Sequence, residues 1–178
     1  MEARRAIQLD PFENAVLAHI LLDTGRNDEA LEQGRKMLEV DASIAHRIMG
    51  LAYNQKGNPN LAIVEFQQSL KGIQPDAPAF PMFTADLAHA YAVSGRRSDA
   101  LQLLSELTEM SKRRAVPSWN FALVYVGLGE KDRAFEWLEK GLVDRTGWMI
   151  TLKVDHQMDP LRSDPRYPEL LRRMGLPP

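Results

Sequence analysis

The sequence predicts an all-α fold, an α-solenoid of antiparallel helix pairs closed by a C-terminal capping helix. Three observations carry that prediction. One is a recurring frame, Leu21…Gly25…Ala30, Tyr53…Gly57…Ala62, Tyr91…Gly95…Ala100 and Tyr125…Gly129…Ala134, with an apolar residue four before each Gly and an Ala five after it. The second is its spacing. The glycines step by 32, 38 and 34 residues, and self-similarity at such a period marks stacked repeats. The third is a small residue on either side of each turn, such as Ala18 and Ala30 around the first, which lets two helices approach closely.

Composition narrows the function classes. The 178 residues carry a formal net charge of −2, which predicts no bulk attraction to nucleic acid or anionic membranes. There is no cysteine, which excludes disulfides, thiolate metal sites and a Cys nucleophile and is compatible with a reducing cytosol. The longest apolar run, Ala15 to Leu22, is interrupted by His19 and falls well short of the roughly 20 residues that span a bilayer. No secretory h-region follows Met1-Glu-Ala-Arg-Arg5. A cytoplasmic location is expected.

Taken in order, residues 1–11 read as the end of a preceding repeat helix closed by Pro11, so the chain is expected to begin inside a larger array. Four helix pairs are then expected over about 11–42, 43–75, 81–114 and 115–143. In the first, Leu17, Ala18 and Leu21 form one helical stripe, Gly25 ends the helix in a left-handed conformation, and Asn27-Asp-Glu restarts the chain with a cap and an acidic first turn. Ala30, Leu31, Gly34 and Leu38 are expected to face the first helix.

The second pair carries Met49, Gly50 and Tyr53, then Ala62, Phe66 and Leu70, with Pro59 suited to a first helical turn. Gly72 to Pro81 holds three prolines and reads as an extended loop that accounts for the longer step. The third pair carries Leu87, Ala88, Tyr91, Leu104 and Leu107, closed by Lys112-Arg-Arg114. The fourth carries Phe121, Ala122, Tyr125, Ala134 and Leu138.

Beyond Val143 the periodicity stops. Residues 144–178 are expected to cap the last hydrophobic face, as a solenoid requires, through Trp148, Ile150, Leu152, Leu161 and a helix over about 165–174. Asp164 and Pro165 supply its start signal, and Tyr167, Leu170, Leu171 and Met174 its apolar face.

Small residue, three on a bulky residue, four on Gly, five on Ala, four on a bulky residue: the order resembles the tetratricopeptide repeat (TPR) family. It is carried by Ala18/Gly50/Ala88/Ala122, Leu21/Tyr53/Tyr91/Tyr125, the four turn glycines, the four alanines and Gly34/Phe66/Leu104/Leu138. The family's Trp near the start of the first helix is absent from three units, and Trp119 lies one residue late. Its closing Pro is present only at Pro11 and Pro75. The resemblance implies a right-handed superhelix. The ending Leu152-Lys-Val-Asp…Asp159-Pro-Leu-Arg-Ser-Asp-Pro-Arg-Tyr167 resembles that of TPR segments attached to bacterial cyclase-, kinase- or winged-helix-type regulators, which implies a bacterial signalling or transcription-regulatory context.

Searching for chemistry yields little. His19, His46, His89 and His156 form no metal-ligand spacing, Asp155, His156 and Asp159 read as a turn, and no phosphate-binding Gly-rich loop is present. Catalytic, cofactor and metal residues are therefore not expected. The resemblance places the first helix of each pair on a concave face, with Phe12, Ala15, Val16 and His19, then Arg47, Ile48 and Leu51, then Met82, Asp86 and His89, then Trp119, Asn120 and Leu123. So apolar a face predicts a groove for a protein or peptide, with self-association as the second reading and an enzyme a distant third. TPR proteins that clamp a C-terminal carboxylate resemble one another in a Lys/Asn…Asn…Lys/Arg set. Here those positions read Ala15, His19, Ile48, Met82 and Asp86, so no such clamp is expected. Basic residues are scattered, and no nucleic-acid stripe is visible.

Overall fold

The structure, a computed structural model, describes residues 11–177. The expectation for residues 1–10 lies outside that range, and Pro11 is the first described residue of a helix. Helices α1 (Pro11–Asp23), α2 (Asn27–Met37), α3 (Ala42–Gln55), α4 (Pro59–Lys71), α5 (Phe80–Val93), α6 (Arg97–Ser111), α7 (Ser118–Gly127) and α8 (Lys131–Val143) form four antiparallel pairs. Two 3₁₀ turns, Gly147–Thr151 and His156–Leu161, lead to α9 (Arg166–Arg173). No strand occurs among the described residues. The chain is an α-solenoid.

One hydrogen-bond pattern explains the Gly frame. Gly25 has φ +72°, a left-handed conformation that only Gly adopts without strain. Its N–H donates to the Leu22 carbonyl at 3.0 Å, and the Arg26 N–H donates to the Leu21 carbonyl at 2.8 Å. This pair of bonds satisfies the carbonyls that a helix end leaves open. The Arg26 carbonyl then accepts the Ala30 N–H at 3.0 Å, the first bond of α2. Arg26 thus closes one helix and opens the next, so the frame has a fixed length. The same bonds recur at Tyr53–Asn58–Ala62, Tyr91–Arg96–Ala100 and Tyr125–Glu130–Ala134. All four alanines are fully buried, where a larger side chain would separate the pair.

Several expectations are corrected by this geometry. Arg26, not Asn27, is the N-cap residue, and its guanidinium pairs with Glu29. Asp41 does cap a helix, accepting the Ile44 N–H at 3.0 Å. Gly34 approaches the following α3, where an added Cβ would lie 2.7 Å from Met49 Cγ; it closes the gap between pairs rather than within one. Leu17 is half-exposed, and Leu22 takes the buried place beside Leu21. Pro81 lies inside the first turn of α5, where a missing N–H costs nothing. Arg114 pins the preceding loop, donating to the Ala77 carbonyl at 3.3 Å and lying over the Phe80 ring.

Helices α1, α3, α5 and α7 neighbour one another in a row, with α2, α4, α6 and α8 packed behind. Apolar residues surround α5 and α7, as the uninterrupted Phe121-Ala-Leu-Val-Tyr-Val126 run requires, and both are buried almost throughout. The C-terminal segment covers α7 and α8. Its buried residues are Met149, Leu152, Met158, Leu161, Tyr167, Leu170 and Leu171. Trp148 and Ile150, expected in that core, are 38% and 76% exposed. The reason is the period: a 3₁₀ turn places i and i+3 on one side, so Met149 and Leu152 turn inward and their neighbours outward. The Tyr167 hydroxyl donates to the Leu152 carbonyl at 2.7 Å, tying α9 to the first 3₁₀ turn.

Candidate functional site

The inner row of helices and the C-terminal segment enclose a cavity of about 390 Å³. Each inner helix contributes side chains four residues apart, which stand one above the other on a single face. Ala15, Val16 and His19 come from α1, Arg47 and Leu51 from α3, Met82 and Asp86 from α5, and Trp119 and Leu123 from α7. The structure brings these nine expected residues together.

Three others do not line this cavity. Ile48 and Asn120 each sit one residue past a lining position, a rotation of about 100° about the axis. Both are buried in the packing between helices, and Ile48 Cγ2 would lie 3.6 Å from a Cβ on Gly34. His89 lies a turn beyond Asp86, fully buried against Gly127, and lines a neighbouring cavity of about 550 Å³ at the turn ends. The Phe12 side chain falls outside the described residues. The face is also not an open groove: the C-terminal segment lies across it through Trp148, Thr151, Asp155 and Gln157.

Asp23, Gln55 and the roof residues were missed from the sequence. Asp23 follows His19 by four, and Gln55 follows Leu51 by four, so extending each stripe by one turn finds both. The roof carries no periodicity that could have pointed to it.

A polar cluster forms the floor. Arg47 Nε donates to Asp86 Oδ2 at 2.6 Å, and its other arm lies 3.1 Å from His19 Nε2. His19 Nδ1 is 2.8 Å from the Ala15 carbonyl. A carbonyl can only accept, so the proton is on Nδ1 and Nε2 accepts from the guanidinium. Burial, and then the Arg47 charge, hold the His19 pKa down, which keeps the ring neutral and consistent with that tautomer. Burial pushes the Asp86 carboxyl up, opposed by the Arg47 guanidinium.

The roof supplies a further carboxyl. Asp155 caps the second 3₁₀ turn by accepting the Gln157 N–H at 2.8 Å. Burial foremost, with Asp86 and Asp23 nearby, pushes it up to about 6. Gln157 Nε2 and Asn54 Nδ2 both approach His89 Nδ1, at 3.4 Å and 3.2 Å. Burial lowers His89 to about 4. Roof and inner row are therefore joined by polar contacts as well as by packing. The Asp155-His156…Asp159 turn expectation holds for His156, which pairs with Asp159 at 3.2 Å, but Asp155 faces the cavity.

Among the described residues, no group of three or more His, Asp or Glu is placed to hold a metal ion, and no helix is long and apolar enough to cross a membrane.

The fold and this face define a helical-repeat protein with a side-chain-lined inner surface. A tetratricopeptide repeat family model matches residues 16–78, from α1 through the loop after α4, and this match supports the TPR family. Repeats of that family generally mediate protein–protein interaction and are generally non-enzymatic scaffolds. No curated protein matches the chain.

Proposed function

We propose that this chain is a protein-interaction module that receives a side chain of a partner segment in the cavity between its inner helices and its C-terminal roof. The observation that carries the reading is the mouth of that cavity. Val16, Ile20 and Trp148 stand there 42%, 51% and 38% exposed, leading into the buried Leu51, Trp119 and Leu123. Exposed apolar residues converging on a concavity mark a contact site. The family's general role supports the same reading. The resemblance of residues 152–167 to the ends of bacterial regulators supports a regulatory role for the interaction.

Substitutions belong at the mouth, because Leu51 and Trp119 are too buried to change without disturbing the fold. Peptides enriched from a random library on the wild-type chain should shift the Trp119 and Trp148 indole N–H signals and spare Trp137. An Ile20→Asp/Trp148→Ser variant should keep its helical content and lose those peptides. Undiminished binding by that variant, or no enriched peptide at all, would sink the proposal. Sedimentation at several concentrations tests the self-association reading, which a strictly monomeric species removes.

A further inference from the structure

The cavity's charge points to the chemistry of its occupant. Among the described residues, Arg47 is its one Lys or Arg, and Asp86 neutralises it at 2.6 Å. Its guanidinium is also held against His19 at 3.1 Å, so it is turned to the floor. Two further carboxyls, Asp23 and Asp155, line the same cavity, and neither has an ion pair among the described residues. Gln55 lines this cavity and the neighbouring one, and its buried Oε1 atom accepts no hydrogen bond among the described residues. Native proteins rarely leave such an acceptor without a donor. The indoles of Trp119 and Trp148 complete the walls, and Trp faces attract cations.

Resting on the interaction reading above, we propose that the occupant is a lysine or arginine side chain of a partner segment, its stem against the Trp and Leu walls and its cationic head among Asp155, Asp23 and Gln55. Two carboxyls without an ion pair and an amide oxygen without a donor among the described residues match an N–H-rich head group, and the apolar walls match the stem that long basic side chains bury. A carboxylate-bearing side chain would meet like charge at the same place. The polarity is thus opposite to that of a carboxylate clamp.

The test uses capped pentapeptides, acetyl-Ala-Leu-X-Leu-Ala-amide with X as lysine, arginine, norleucine or glutamate, titrated to millimolar concentration against the full chain. The readout is the indole N–H signals, Trp137 serving as the internal reference. Lysine and arginine peptides should shift Trp119 and Trp148 and bind about tenfold more tightly than norleucine, with glutamate weakest. An Asp155→Asn variant should bring lysine down to the norleucine level. Asn retains an oxygen for the Gln157 N–H, so helical content and fold should persist. Equal binding of lysine and norleucine would overturn the charge assignment while leaving the interaction site standing. Binding by none of the four overturns both.

Discussion

Arg47 and Asp86 lie 39 residues apart in sequence and meet at 2.6 Å between α3 and α5, with both side chains almost fully buried. The pair links two neighbouring helix pairs at the cavity floor and sets the direction of the Arg47 charge. Removing one partner leaves an uncompensated buried ion. Asp86→Asn should therefore destabilise the chain by about 3–5 kcal/mol, measured by urea unfolding. The double change Arg47→Met/Asp86→Leu should recover most of that loss, because apolar replacements of similar volume often equal a buried pair. Additive single-variant losses in the double variant would contradict this account.

Close packing between α3 and α4 depends on Gly50. A Cβ there would lie 2.6 Å from the Phe66 ring, which is buried. Gly50→Ala should cost about 1–3 kcal/mol by overpacking. Pairing it with Phe66→Leu should cost less than the two single changes summed, a double-mutant cycle with a favourable coupling term. A cycle that closes to zero would show that the ring yields freely.

The helix pairs were legible because each turn repeats one set of hydrogen bonds that only a few residues can make. A Gly at φ +72° to +83°, an apolar residue four before it and a buried Ala five after it are the sequence trace of that turn. The inner face was legible only to the precision of a helical stripe. Arg47 and Leu51 line the cavity, whereas Ile48, one residue round the helix, is core. What could not be read was the roof. Its residues follow 3₁₀ periods in short turns, and their contacts with α5 and α7 span long sequence separations, as Gln157 does with His89. Trp148, expected in the cap core, therefore stands at the cavity mouth instead.

The roof is held by few bonds, and Tyr167 makes one of them. Replacing it by Phe keeps the ring and leaves the buried Leu152 carbonyl without the hydroxyl that it accepts at 2.7 Å. A loss of about 1–2 kcal/mol is expected. Because the 3₁₀ turns lack a repeat behind them, the loss should appear as local opening. Hydrogen exchange should accelerate over residues 147–161 in Tyr167→Phe, with α3 and α4 unchanged. Uniform acceleration across the solenoid would mean that roof and repeats open as one unit.

Acid stability separates the carboxyl in the roof from the histidine beneath it. The Asp155 pKa is about 6 when folded against 3.8 as its ordinary value, so the folded state takes up the proton more readily than the unfolded one. The cost of burying its charge is therefore full above pH 6 and is relieved as pH falls towards 4. His89 has the opposite sign. Its folded value is about 4 against 6.5, so the unfolded state gains the proton first and stability is lost as pH falls from 6.5 to 4. His19 is lowered and acts in the same direction as His89, while Asp86 and Asp23 are raised and act with Asp155. Asp155→Asn removes the carboxyl contribution of the roof. At 1.36 kcal/mol for each pH unit, it should stabilise the chain by about 2–3 kcal/mol at pH 7.5 and by little at pH 4. Its stability should fall more steeply with acid than that of the wild type, since the histidines are then offset only by Asp86 and Asp23. Urea unfolding of both chains at half-unit pH intervals measures the difference directly, and parallel curves would show that the Asp155 carboxyl is not desolvated by the inner row.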